Sequence, residues 1–180
     1  NERVDELKKE GVNWIVKTNN GTTFQTPNVI IAGGVGSFEP RKFPVKECEK
    51  FENKSVLYSI KDKDIFKDKT ATIFGGGDSA LDWAIELSKN SKVNLVHRRD
   101  DFRGAQSTVD KVHGLVKDGK INLYTKYQMN SIKGDDQLES IDIKSDDKDI
   151  KTLKTDFVLG LFGLIMQLGQ IAHWGLNMDK

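Results

Sequence analysis

Three consecutive glycines, Gly75-Gly76-Gly77, lead into Asp78-Ser79-Ala80, and further along the chain comes His97-Arg98-Arg99 with Arg103 close behind. The first group fits G-x-G-x-x-A, with Gly75, Gly77 and Ala80 in the fixed positions. Glycine at the first position permits a tight turn, and glycine at the second lets the backbone come close to a pyrophosphate. A small residue at the last lets a helix lie close to a strand. The pyrophosphate can then rest on the free N–H groups and the positive end of the helix dipole. The second group stands about 20 residues on, where an NAD site would place Asp or Glu to hold the ribose 2′-hydroxyl. A carboxylate there would repel a 2′-phosphate, whereas guanidinium groups bind it through charge-assisted, often bidentate hydrogen bonds. The two groups together predict a cradle for NADP(H). Gly75, Gly76, Gly77, Asp78, Ser79 and Ala80 would surround the pyrophosphate, with His97, Arg98, Arg99 and Arg103 at the 2′-phosphate. The alternatives are a glycine turn that only packs, and a solvated basic tip paired with Asp100 and Asp101. Ser79 has no histidine partner and is expected to hydrogen-bond at the helix start, where the Asp78 carboxylate is also favourable.

Such a cradle needs a strand, a turn, a helix and a second strand. The apolar run Ala71–Phe74 supplies the first strand, and Ala80, Leu81, Ala84, Ile85 and Leu87 recur near a 3.6-residue period, predicting a helix from Asp78 to Lys89. KVNLVHR is the second strand, with Val93, Leu95 and His97 alternating against Asn94 and Val96. QSTVDKVHGLVKDG is expected to be a helix stopping at Gly119. INLYTKYQMNSIKGDDQLESIDIK is expected to form strands, the last two turning at Lys133–Asp136, and KTDFVLGLFG a final buried strand. KSDDKDIK reads as a solvated turn. Nearer the start, VNWIVKTNNGTTFQT predicts two strands around Asn19-Asn20-Gly21, because Asn-Gly supplies the positive φ of a tight hairpin. NVIIAGG follows as a buried strand, and the proline-containing VGSFEPRKFP as an extended linker. ERVDELKKEG has helical propensity but only Val4 and Leu7 as an apolar face. No internal repeat is present.

Composition limits what else the chain can do. Its 180 residues hold one domain or one domain with parts of another. The 28 Lys and Arg nearly balance 27 Asp and Glu, which gives no reason to expect nucleic acid or a membrane surface as partner. The longest apolar stretch, around FVLGLFGLIM, is about half of what a bilayer span requires. Cys48 is the only cysteine, which excludes an internal disulfide framework, a CxxC pair and a cysteine zinc site within this sequence. A lone thiol fits a reducing cytoplasm. His113 and His173 are too isolated for a metal site, and Trp83 and Trp174 read as packing residues. The chain starts at Asn1 and opens into structured-looking sequence, so it is read as a fragment.

Gly34-Val35-Gly36-Ser37-Phe38-Glu39 also satisfies G-x-G-x-x, but Glu39-Pro40 follows with no helical pattern. That segment fits a crossover leaving one domain for another. GGGDSALDWAIEL, HRRDDFR, GGVGSFEPRKF and LGQIAHWGL together resemble the thioredoxin-reductase-like class of ferredoxin/flavodoxin–NADP reductases, over most of the chain. The resemblance implies an α/β fold, a Rossmann-like three-layer NADP(H)-binding domain with a β-meander, plus partial FAD-domain segments. It divides the chain into a partial FAD-domain segment with its crossover at 1–50, the NADP(H)-binding domain at 51–161, and a return into the FAD domain at 162–180. Gly34 and Phe38 would border FAD, and hydride would pass between NADPH and the flavin with no acid–base residue required. Ferredoxin or flavodoxin would take the electrons, and the longer protein would be a homodimer. Two alternatives stay open: an NADPH-flavin reductase feeding another acceptor, and a non-catalytic NADPH-sensing module. The chain departs from thioredoxin reductases in lacking the CxxC pair before the glycine motif. It also lacks the FAD-binding G-x-G-x-x-G, and has Gln170 where proline is expected.

Overall fold

The computed structural model describes residues 1–33 and 37–177; the side chains of residues 37–39, 164, 166 and 167 are outside the description. The chain divides into two compact units, Pro40–Gly163 and a second one formed by Asn1–Glu39 with Leu164–Lys180.

The second unit begins with three antiparallel strands, β1 (Val4–Glu10), β2 (Asn13–Thr18) and β3 (Thr23–Thr26), in the order β1-β2-β3. The expected hairpin forms between β2 and β3, with Gly21 at φ +82° in the turn. β1 is a strand despite its helical propensity. Every residue from Glu6 to Glu10 pairs with β2, and Leu7 is buried in the process. Pairing outweighs an intrinsic preference of a few tenths of a kcal/mol per residue. NVIIAGG is not the buried strand its composition suggests: residues 28–33 are irregular, and Ile30 is 92% exposed. An apolar run becomes a buried parallel strand only between hydrogen-bonding neighbours, and no described segment pairs with this one. β4 (Ser37–Pro40) is extended as expected of a proline-containing segment.

The larger unit is a three-layer sandwich. Its centre is a parallel sheet of β5 (Val56–Leu57), β6 (Thr70–Phe74), β7 (Lys92–His97), β8 (Ile121–Thr125) and β12 (Phe157–Gly160), in the order β5-β12-β6-β7-β8. Helices α1 (Asp78–Leu87) and α2 (Gln106–Lys117) cover one face, where Ile73, Leu81, Ala84, Leu95 and Val112 pack together. Gly119, at φ +71°, ends α2 as its position in the sequence predicts. An antiparallel meander, β9 (Tyr127–Lys133), β10 (Ser140–Ser145) and β11 (Ile150–Lys154), lies on the other face and meets Phe74, Val96 and Val158. β10 ends and β11 starts inside the stretch expected to be a turn; the turn itself occupies only residues 146–149, and Leu153 anchors β11 opposite Ile141.

Because both faces of the sheet are covered, both alternating sets in β7 are in the core, Val93 and Leu95 on one side and Asn94 and Val96 on the other. Asn94 is buried, donating to the Thr72 hydroxyl at 3.1 Å and accepting from Asn122 Nδ2 at 3.0 Å. Thr72 in turn donates to the Thr155 hydroxyl at 2.9 Å. This polar row satisfies every group it buries. Residues 40–50 pack with this unit, where Phe43, Cys48 and Phe51 enter the core on the meander side. β13 (Leu164–Gln167) pairs with β4 in a two-stranded sheet. Among the described residues no helix is long and apolar enough to cross a membrane.

Candidate functional site

β6 runs into the glycine turn and β7 into the arginine tip. These strands are parallel neighbours, with Phe74 opposite Val96, so the two tips leave the carboxyl edge of the sheet side by side. The order β12-β6-β7 places β6 centrally, and its following turn is fastened on both sides. The Gly75 N–H donates to the Val96 carbonyl at 3.1 Å, and the Leu161 N–H to the Phe74 carbonyl at 2.8 Å.

The fold asks something different of each of the three glycines. A Cβ on Gly75 would lie 2.6 Å from the Leu161 carbonyl oxygen and 2.7 Å from Ala80 Cβ. Both are contacts the backbone cannot relieve, so Gly75 and the buried Ala80 are what let α1 lie close to the sheet. A Cβ on Gly76 would fall within the His97 ring. Gly76 is therefore a glycine because of its neighbouring strand. Around Gly77 a Cβ would meet nothing within 4 Å, and its φ of −98° and ψ of 177° are open to any residue. Neither packing nor backbone conformation accounts for glycine there.

Gly77 is also the residue before the helix, and no side chain caps that end. The Ala80 and Leu81 amides both bond back to the Gly77 carbonyl, at 3.0 and 3.2 Å. The Asp78 and Ser79 amides are left without a backbone partner among the described residues, as the first turn of a helix dictates. The Ser79 hydroxyl was expected to hydrogen-bond at the helix start, yet it makes no hydrogen bond among the described residues, so it too faces open space.

Arg98, Arg99 and Arg103 are exposed, and none of them forms an ion pair among the described residues. The Asp100 carboxylate goes instead to Lys126 Nζ at 2.7 Å. The tip therefore keeps its positive charge instead of being neutralised by its own acidic residues. Backbone ties hold the loop in place. His97 Nε2 lies 3.1 Å from the Asp101 carbonyl and its ring stacks on Phe102, with centroids 5.3 Å apart. Phe102 in turn tilts against His113. Burial, and secondarily the three arginines, push the His97 imidazole below its ordinary value, against the Asp101 carbonyl that favours the charged form. A neutral ring protonated on Nε2 can still donate to that carbonyl. The Arg103 N–H donates to the Gly76 carbonyl at 2.7 Å, and the Ala105 N–H to Asp78 Oδ1 at 2.8 Å.

The structure thus brings Gly75, Gly76, Gly77, Asp78, Ser79, Ala80, His97, Arg98, Arg99 and Arg103 to one edge of one sheet. Gly34 lies outside the described residues and the side chain of Phe38 is not described, so no flavin contact is assigned to either. Phe102, Gly104 and Ala105 were missed. The available signal was a phenylalanine and a glycine inside an otherwise charged tip, two residues that a solvated loop does not need.

The family model described as pyridine nucleotide-disulphide oxidoreductase matches residues 1–180. The chain is 66% identical, over its whole length, to a protein named ferredoxin–NADP reductase from Pelagibacter ubique, and covers 53% of that protein. Over 99% of its length it is 47% identical to ferredoxin–NADP reductase 1 of Christiangramia forsetii, covering 52% of it. The chain therefore spans about half the length of the curated relatives it matches. Among solved structures, thioredoxin reductase from T. acidophilum superposes with a TM-score of 0.79 at 24% identity, over 99% of this chain and 58% of that one. That likeness speaks for the fold alone. With the glycine turn, the arginine tip and the three-layer sandwich in place, the chain belongs to the pyridine nucleotide-disulphide oxidoreductase family.

Proposed function

We propose that this chain is the NADP(H)-binding part of a flavin-dependent ferredoxin–NADP reductase. The observation that carries the reading is Gly77: a glycine the fold does not need, beside an uncapped helix start and open space. A pyrophosphate that must approach the backbone explains it. The Asp78 and Ser79 amides and the Ser79 hydroxyl would receive the pyrophosphate, and Ala80 keeps the helix close enough to present them. Arg98, Arg99 and Arg103 would take the 2′-phosphate, and the absence of ion pairs to them among the described residues supports that role. In this reading residues 51–161 form the NADP(H)-binding domain, the crossover residues 40–50 pack with it in the unit Pro40–Gly163, and the flavin-domain segments lie within 1–39 and 164–180.

The described residues contain no second strand–glycine–helix turn, so no flavin cradle is assigned to them. The family's flavin supplies the hydride acceptor and the onward passage of electrons. This chain binds, orients and selects the hydride donor. The names of the relatives favour ferredoxin as the final acceptor; flavodoxin as the related option, a cytoplasmic place and a homodimer rest on the resemblance read in the sequence alone. A dithiol relay has no support within this chain, because it passes through an intramolecular disulfide and Cys48 stands alone.

The test is a chimera in which this chain replaces the matching half of the Pelagibacter relative. The chimera should reduce ferredoxin with NADPH, more slowly as salt rises, and should fail with thioredoxin. Equal or better reduction of thioredoxin would overturn the reading.

A further inference from the structure

We propose that Asp78 is a positioning residue for cofactor selection: its carboxylate clasps the arginine loop to the glycine turn, and it does this instead of touching the nucleotide. The inference rests on the NADP(H) reading above and deepens it.

The three arginines have no side-chain partners among the described residues, so only the backbone of residues 98–103 holds them in position. That backbone is closed at its start by His97, whose ring reaches the Asp101 carbonyl and stacks on Phe102. At its end it is closed by two hydrogen bonds to the glycine turn and the helix start. One runs from the Arg103 N–H to the Gly76 carbonyl, 2.7 Å, and the other from the Ala105 N–H to Asp78 Oδ1, 2.8 Å. Gly104, between the two donors, lies against α1: a Cβ there would come 2.6 Å from Leu81 Cδ1 and 3.1 Å from Asp78 Oδ1. Leu81 is fully buried and has little room to yield. The loop can accept the clasp only because it has no side chain at that point.

An acceptor-only carboxylate beside a pyrophosphate would be repulsive if it faced the ligand. Directed to Ala105, it is used on the protein instead. Without the clasp, the ligand would have to order the arginine loop at the moment of binding, and affinity for the group the loop holds would fall. Contacts to the pyrophosphate, made by the helix amides, would be spared. The expected signature is a change in the ratio of NADP⁺ to NAD⁺ affinity, which a merely structural role would not produce.

The experiment is calorimetric titration of the purified chain with NADP⁺ and with NAD⁺ for wild type, Asp78→Ala, Asp78→Asn and Gly104→Ala, with thermal melts to establish folding. Asp78→Ala should weaken NADP⁺ by about tenfold and NAD⁺ by less than about threefold. Asp78→Asn should restore NADP⁺ affinity to within about threefold of wild type, since its amide oxygen accepts the same N–H. Gly104→Ala, which leaves the carboxylate in place, should reproduce the loss of preference. An unchanged affinity ratio in folded Asp78→Ala or Gly104→Ala overturns the clasp, and so does failure of Asp78→Asn to restore it. A wild type that does not prefer NADP⁺ overturns the underlying reading, and the clasp with it.

Discussion

Gly77→Val separates a glycine kept for folding from one kept for a ligand. At φ −98° and ψ 177° valine is unstrained, and a Cβ there has no neighbour within 4 Å. The fold should lose only the small helix-cap preference of glycine over an aliphatic residue, offset by about 0.4–1 kcal/mol from a less flexible unfolded chain. Net stability should stay within about 1 kcal/mol of wild type, a few degrees at most in Tm. Binding is a different matter. The valine methyls would occupy the space from which a pyrophosphate reaches the Asp78 and Ser79 amides. Loss of a single hydrogen bond to a charged group costs about 1.5–3 kcal/mol, or about tenfold to a hundredfold in Kd, for NADP⁺ and NAD⁺ alike. Gly76→Ala is the control. Its Cβ would collide with the His97 ring, so overpacking should lower stability by about 1–3 kcal/mol. The assay pairs thermal unfolding with calorimetric titration. A folded Gly77→Val that binds NADP⁺ like wild type would mean that no pyrophosphate comes close to this glycine. A Gly77→Val that fails to fold would make the glycine structural after all.

Further outcomes follow from the same geometry. Arg98→Ala should weaken NADP⁺ by about tenfold or more and leave NAD⁺ nearly unchanged; equal losses for both would make the arginine a support of the fold. Cys48 is buried with its Sγ 3.4 Å from Met129 Sδ, and burial with nearby Glu47 and Glu52 pushes the thiol up to about 11. Iodoacetamide at pH 8 should leave it unmodified until denaturant is added, and Cys48→Ser should keep NADP⁺ affinity; rapid native alkylation would contradict the packing. Lys133 first, then Thr152 and Ser131, hold the Asp142 carboxyl down to about 2. Its ordinary value is about 3.9, so the unfolded chain takes up the proton first as pH falls. The carboxylate's stabilising contribution is complete above that value and is lost from about pH 4 to about pH 2. Urea midpoints measured across this window should fall less steeply for Asp142→Asn than for wild type, and parallel slopes would count against the network.

Much of the site was legible because its chemistry is local. Gly75 to Ala80 and His97 to Arg103 are short runs, and the strand–helix–strand periodicity between them fixes their place on neighbouring strands. What was not legible depends on residues that meet only in the fold. Gly76 looks like part of the phosphate turn until His97, from the next strand, is found where its Cβ would be. Asp78 was expected to meet the helix dipole or the cofactor, and nothing in its surroundings in the chain points to the Ala105 amide. The alternation in β7 does not tell where Asn94 lies, because it reports solvent only for a sheet with one wet face. The meander covers that face, and Thr72 and Asn122 satisfy the amide. Residues 28–33 are not the expected strand, and the ambiguous opening segment is one, for a common reason. Strands are made by partners, and propensity and hydrophobicity do not report whether a partner is present.

Selection of NADP(H) rests most on the charge of the arginine tip. The direct measurement is a pair of calorimetric titrations of the wild-type chain with NADP⁺ and NAD⁺, at low salt and again at high salt. NADP⁺ should bind tighter by about tenfold or more at low salt, with the advantage shrinking as salt screens the exposed guanidinium groups. Equal affinity for the two nucleotides at low salt, or a preference for NAD⁺, would contradict that selection.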